Sequence, residues 1–156
     1  MEYDVRLVHE PSRELAVTTF EAADAGAVAG LIGKAFATVA EFLVQRGAPP
    51  AGPAVAYYES APDGSFLVAA GFTVPRELQY SGDVMPFRLP GGEVATTTHV
   101  GSYADLPRAY DALRRAAGEH GRTLEESGGM WEEYWSGSDV PQDEARTDVF
   151  WPLKPR

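Results

Sequence analysis

Two similar segments constrain the fold of this chain more than any other feature of its sequence. Residues 14–20 read ELAVTTF and residues 93–99 read EVATTTH. Each is followed by a helical pattern, a Gly/Pro-rich loop and an aromatic strand, at residues 53–58 in the first case and 130–135 in the second. Such internal similarity is typical of a duplicated architecture. We therefore expect two pseudo-repeats, spanning roughly residues 1–78 and 79–156, with chance similarity of short strands as the alternative.

The residue pattern of each pseudo-repeat predicts one helix, with strands before and after it. Asp24 is a candidate N-cap, apolar residues then recur at helical spacing, and Gly47 is a natural end. A second apolar stripe runs through Leu106, Tyr110, Leu113 and Ala117 and ends near Gly121. Alternating and β-branched segments predict the strands, with only a brief one around Phe87. The pattern predicts an α+β fold: duplicated strand-helix-strand-strand halves form an antiparallel-rich sheet, with two helices on one side and a central ligand cleft.

The composition excludes several classes of protein. The 156 residues carry 13 Lys+Arg against 23 Asp+Glu, a formal charge of −10, and contain no cysteine. This length predicts a single domain over residues 1–156. Without cysteine, a thiol nucleophile and thiolate metal sites are excluded. A strongly acidic chain is a poor partner for phosphate backbones, so we expect no direct contact with nucleic acid.

No segment reads as a targeting signal or a membrane span. The most apolar stretch, residues 22–44, is rich in Ala and Gly and carries Asp24, Lys34 and Glu41. This composition predicts a buried helix of a soluble protein, with no membrane contact and a cytoplasmic location.

Glu132 is the residue with the clearest chemical potential. It lies in the segment WEEYW, residues 131–135. On a strand, Glu132 and Tyr134 share one face, while Trp131, Glu133 and Trp135 share the other. Burying a carboxylate among aromatic rings raises its pKa as long as no cation lies beside it. A carboxylate surrounded by rings is a good receptor for a delocalised cation, through charge pairing and cation–π contact. The alternative is an edge strand with solvated glutamates.

The duplication supports a role for this carboxylate. Aligning Tyr57 with Tyr134 places Val55 opposite Glu132 in the comparison of the two halves. A position that needed only apolar packing could hold an apolar residue in both halves. The asymmetry therefore suggests that the carboxylate does chemical work.

Other aromatic side chains on predicted strands are candidates for the lining of the same cleft. The ligand-binding set predicted from the sequence comprises Glu132, Tyr134, Tyr57, Phe72, Phe150 and Trp131. For each ring, core packing is the alternative. The three histidines, His9, His99 and His120, lack metal-ligand spacing, and His99 is expected to make a structural hydrogen bond. We expect no metal and no cofactor.

Three segments in order resemble one known family. Residues 93–106, residues 131–134 and residues 146–153 (RTDVFWPL) are similar to segments of the GyrI-like family, the AraC-type effector-binding domains. The resemblance implies a duplicated fold whose cleft binds lipophilic, often cationic, small molecules, and it maps the acidic partner of the ligand to Glu132. The chain departs from the family pattern at two positions. Glu133 replaces an apolar residue, and Phe150 stands where a tyrosine is common.

The resemblance leaves two main functions open. The first is multidrug-type binding or sequestration of lipophilic cations. The second is hydrolysis of strained electrophiles, such as cyclopropane-containing DNA-alkylating natural products, with Glu132 and Tyr134 as the catalytic residues. A third reading, an acidic protein that mimics DNA toward a protein partner, rests only on charge and family analogy.

Overall fold

The computed structural model describes residues 3–126, 129–135 and 140–156. The elements follow in the order β1 (Arg6–Glu10), β2 (Arg13–Ala22), α1 (Ala25–Gln45), β3 (Ala54–Ser60), β4 (Phe66–Thr73), β5 (Met85–Leu89), β6 (Gly92–Val100), α2 (Leu106–Glu119), β7 (Met130–Tyr134) and β8 (Arg146–Pro152), with 3-10 turns at Tyr103–Asp105 and Gln142–Glu144. The predicted α+β class with two strand-helix-strand-strand copies is confirmed. The chain divides into two compact units, residues 12–90 and residues 3–11 with 91–156.

The unit of residues 12–90 is an antiparallel sheet in the order β3-β4-β2-β5, with α1 on one face. The side chain of Asp24 accepts a hydrogen bond from the backbone N–H of Ala27 and so caps α1, as predicted. The helix ends where Gly47 takes a positive φ of 71°. Val39 and Leu43 of α1 pack with Ala16 of β2 in the core.

The unit formed by residues 3–11 and 91–156 repeats this plan in the order β1-β6-β8-β7, with α2 on one face. Three residues of α2 enter its core: Ala109, Leu113 and Ala117. They pack against Val149 and Trp151 of β8. The pairing of β1 with β6 places the first strand of the chain in the unit of the second copy. Likewise, β5 falls within the predicted second half, residues 79–156, but pairs with β2 of the first half. The copies are therefore not the consecutive halves 1–78 and 79–156.

The predicted register between the two copies is wrong by one residue. In one unit, Thr18 of β2, Ala70 of β4 and Ala56 of β3 lie side by side across the sheet. In the other unit, Thr97 of β6, Val149 of β8 and Glu132 of β7 do the same. Thr18 and Thr97 are equivalent in the repeat, so Ala56 is the counterpart of Glu132, and Val55 is not. Because strand side chains alternate, a shift of one residue exchanges the two faces. The contrast between an apolar residue and a carboxylate remains.

His99 makes the structural hydrogen bonds expected of it. It is buried on β6, and its Nε2 lies 2.9 Å from the carbonyl oxygen of Ser102, which can only accept. Nε2 therefore carries the proton, and Nδ1 accepts from the Tyr3 hydroxyl at 2.8 Å. These two contacts fasten the N-terminal segment and the turn after β6 to the sheet.

A buried arginine ties the end of α2 to the start of β6. The Arg122 side chain is 4% exposed, and its guanidinium donates to both carboxylate oxygens of Glu93, at 3.0 and 3.2 Å. It also donates to the carbonyl oxygen of Lys154. The hydrogen bonds and charge of Arg122 hold the pKa of Glu93 below its usual range.

We expect Glu93→Gln to remove one source of acid sensitivity. The stabilisation from ionised Glu93 is fully present above the ordinary carboxyl pKa of 4.5 and is lost as the pH falls through the lowered pKa of the folded state. Urea unfolding should show the variant less stable than the parent at pH 7, with the difference shrinking toward pH 3. Glu77→Gln, at an exposed position, is the control. A difference that does not change with pH would contradict the assignment.

Candidate functional site

A buried carboxylate lies at the centre of the candidate site. Glu132 of β7 is 6% exposed and lies directly opposite Val149, on the sheet face that α2 covers. Its Oε2 accepts a hydrogen bond from the hydroxyl of Tyr110, and its Oε1 accepts one from the hydroxyl of Tyr134. The carboxylate is thus held from two sides by phenol donors, one from the helix above it and one from its own strand.

Tyr110 is positioned by the packing of α2 on the sheet. Its ring meets the indole of Trp151 edge to face, with centroids 5.7 Å apart and an interplanar angle of 82°. The indole N–H of Trp151 donates to the carbonyl oxygen of Glu125, which fixes the orientation of that ring. The guanidinium of Arg114 lies 4.8 Å from the ring centroid of Trp151. A buried tyrosine needs a partner for its hydroxyl, and Glu132 supplies it.

A second ring borders the site on the side of Tyr134. Tyr103, in the 3-10 turn before α2, meets Tyr134 edge to face at 6.0 Å and is 42% exposed. Thr147 lies opposite Tyr134 on β8, and its buried hydroxyl has no hydrogen-bond partner among the residues that the structure describes. One face of a single unit therefore brings together the carboxylate of Glu132, the three tyrosine side chains and the hydroxyl of Thr147.

Two residues of the predicted ligand-binding set lie on the sheet face opposite Glu132. Trp131 and Phe150 are opposite one another on β7 and β8, and their rings stack with centroids 5.3 Å apart. Strand alternation directs both away from the face of Glu132. Trp131 is 1% exposed, so its ring serves the core. Neither ring therefore lies beside Glu132, as alternation already predicted for Trp131, and the role of both rings as ligand contacts stays a prediction.

The other two predicted contacts belong to the unit of residues 12–90, where they do not share a face. Phe72 lies on the side of α1 and packs against Phe36, with centroids 6.0 Å apart. Tyr57 lies on the opposite side, packs against Phe87 at 5.0 Å, and donates from its hydroxyl to Glu59. Burial, with a smaller contribution from the charge of Glu59, raises the pKa of Tyr57 to about 12. Their role as ligand contacts stays a prediction.

Glu133 has a different environment from Glu132. It is buried on the opposite face of β7, directly across from Asp148. Asp148 accepts hydrogen bonds from Thr98, from the indole of Trp135 and from both Nε and Nη2 of Arg146. The two adjacent glutamates are therefore separated by the sheet itself, and only Glu132 lies with the tyrosines.

Sequence reasoning missed Tyr110 as a functional residue, because its spacing placed it on the apolar stripe of the second helix. The signal was the hydroxyl itself, since a tyrosine on a buried stripe requires a polar partner. Among the residues that the structure describes, no group of three or more His, Cys, Asp or Glu side chains could hold a metal ion.

Comparison with known proteins identifies the family. The model of the GyrI-like small molecule binding domain matches residues 3–154. Similar solved structures include the EcmrR C-terminal domain (TM-score 0.75, 18% identity, 99% of both chains) and a hydrolase from Listeria innocua (TM-score 0.67, 12% identity, 97% of this chain and 92% of that one). SAV2435, solved with tetraphenylphosphonium bound, is similar at TM-score 0.61 and 14% identity over 99% of this chain and 94% of that one. No curated protein sequence matches significantly.

Proposed function

We propose a ligand class for this chain, which belongs to the GyrI-like small molecule binding domain family: it binds lipophilic cations, and Glu132 is the anion that they meet. The single observation that carries the proposal is the position of that carboxylate. It is buried on the α2 face of its sheet and held by two tyrosine hydroxyls beneath aromatic rings.

The physical reason for a lipophilic cation is the cost of desolvation. A small cation such as sodium must leave strongly bound water to reach a buried carboxylate. A cation whose charge is delocalised and covered by apolar groups is weakly hydrated, so it loses little hydration free energy when it is buried. It gains the Coulomb attraction of the carboxylate, which is strong where few water molecules screen it. The rings of Tyr110, Tyr134 and Tyr103 add cation–π attraction and apolar contact. Tetraphenylphosphonium has this chemistry, and SAV2435, which shares the fold, was solved with it bound.

We expect the protein to bind tetraphenylphosphonium at least about 10-fold more tightly than triphenylphosphine oxide, a neutral molecule of similar shape. The preference corresponds to about 1.4 kcal/mol of charge-dependent attraction. Isothermal titration calorimetry or quenching of intrinsic fluorescence measures both affinities. Equal affinities would contradict a charge-selective site, and no saturable binding of either probe would contradict the site itself.

A second function, hydrolysis of a strained electrophile, is favoured by one specific observation. The two hydroxyls at Glu132 form a connected set of proton donors and acceptors, as general acid–base catalysis requires. In this reaction Glu132 takes a proton from water, whose oxygen attacks a cyclopropane carbon. The ring C–C bond breaks, and Tyr134 or Tyr110 protonates the leaving atom.

We expect Tyr134→Phe to lower such a hydrolysis by about 100-fold, within the range that a positioned acid–base group contributes. Mass spectrometry of a cyclopropane-containing alkylating compound incubated with protein would detect the ring-opened product. Tyr80→Phe is the control, since the Tyr80 hydroxyl lies in the other unit and is buried with no hydrogen-bond partner in the described part of the chain. Tight binding without turnover would leave the binding function and eliminate hydrolysis.

A further inference from the structure

Helix α1 exposes an unusually apolar face. By length and composition it would suffice to cross a membrane, yet only 28% of its most apolar stretch is buried inside the protein. The expectation of a mostly buried helix is therefore wrong for most of its surface. Val44 is 60% exposed, and it shares the outer side of the helix with the exposed residues Gly30, Gly33 and Ala37. Contiguous apolar surface of this kind marks interaction sites on soluble proteins.

Two glycines of this helix have no packing explanation among the residues that the structure describes. Gly30 and Gly33 lie mid-helix, and a Cβ added at either position would meet nothing within 4 Å. Each costs about 1 kcal/mol of helix stability relative to alanine. Packing inside this chain does not require them. Small residues do allow the backbone of a second helix to approach closely.

The two charges of α1 lie on the same side of the helix. Lys34 and Glu41 are the only charged residues in the sequence of α1, and both are exposed. Neither takes part in an ion pair among the residues that the structure describes. Their separation of seven residues keeps them on one side of the helix but too far apart to pair with each other.

We propose that this face of α1 binds the same face of a second copy of the chain, with the two helices antiparallel. Lys34 of each copy then lies opposite Glu41 of the other, which forms two ion pairs related by a two-fold axis. The axis passes between Ala37 and Thr38, and Gly30 comes opposite Gln45 of the second copy. A parallel arrangement would instead place Lys34 against Lys34 and Glu41 against Glu41.

The interface is small, because one helix face alone forms it. Contacts of this size give weak association, so the dimer forms at high protein concentration. Sedimentation velocity over about 1 μM to 1 mM, the range in which weak complexes dissociate, should show a shift from one chain to two. A chain that stays monomeric throughout this range overturns the proposal.

Charge exchange provides a specific test. Lys34→Glu alone and Glu41→Lys alone each replace two attractive pairs by two repulsive ones, so each variant should remain monomeric. An equimolar mixture of the two should dimerise at least as well as the parent, because both contacts are then attractive. Lys154→Glu, at an exposed position of the other unit, is the control for net charge. Dimers of either single variant, or a mixture without dimers, would overturn the proposed pairing.

Cysteine cross-linking tests the direction of the helices, because the chain has no cysteine of its own. Ala37→Cys places two thiols beside the axis, so it should form a disulfide dimer under mild oxidation. Val44→Cys places them about 20 Å apart at 1.5 Å per residue, so it should not. Efficient cross-linking of Val44→Cys alone would indicate parallel helices and overturn the proposal. Flotation with lipid vesicles, without dimers in solution, would assign the face to a membrane and equally overturn it.

Discussion

Replacing Glu132 by glutamine is expected to weaken the binding of tetraphenylphosphonium by about 10- to 100-fold, or about 1.4 to 2.7 kcal/mol. Glutamine has nearly the same shape, so the rings around the site keep their positions. The variant removes the negative charge and turns one acceptor oxygen into an amide donor, beside a tyrosine hydroxyl that also donates. Binding of neutral triphenylphosphine oxide depends on the rings and should change by less than about 3-fold.

Two comparisons separate a charge effect from damage to the fold. Glu133→Gln changes the same type of residue on the same strand, but its side chain lies on the opposite face, so tetraphenylphosphonium binding should hardly change. Urea unfolding of both variants measures the structural cost directly. If Glu132→Gln weakens the cation and the neutral probe equally, Glu132 shapes the site without acting as the counter-ion.

Gly71→Ala is expected to destabilise the protein by about 3 kcal/mol or more, at the upper end of the range for single substitutions. Gly71 lies in β4, between Val17 of β2 and Val55 of β3. A Cβ built there would lie 1.8 Å from the carbonyl oxygen of Ala16 and 2.9 Å from the Cα of Val17. Both contacts are with backbone, which cannot turn aside as a flexible side chain can. The two strands must separate or the new methyl group cannot fit.

Thermal unfolding measures this cost as a fall in Tm of roughly 10 °C, since each kcal/mol corresponds to about 2–4 °C in a chain of this size. Gly118→Ala is the matched control, because a Cβ at that position near the end of α2 would meet nothing within 4 Å. It should leave Tm unchanged or raise it slightly, as alanine favours helix. A tolerated Gly71→Ala would mean that β2 and β4 do not approach as closely as described.

The fold could be predicted from local patterns because its signals are local. Asp24 and Gly47 mark the ends of α1 through capping and a positive φ, and both depend only on neighbouring residues. The similarity of residues 14–20 and 93–99 identified the duplication, and the matched residues Ala16 and Ala95 each lie in the core on the helix side of their own unit. By contrast, nothing local relates β3 to β7, because loops of different sequence precede them. The assumed equivalence of Tyr57 and Tyr134 was therefore wrong by one residue.

The amino-acid sequence by itself indicated Glu132 as the candidate acid of this site. Glu132 stands among rings on a strand, and alternation alone couples it to Tyr134. Only the tertiary structure decided what surrounds it. Tyr110 lies 22 residues away in sequence, on a helix, and Phe150 lies on the other face, opposite Trp131. The physical reason is that strand periodicity fixes which side chains share a face, whereas the packing of a helix on that face depends on contacts distant in sequence.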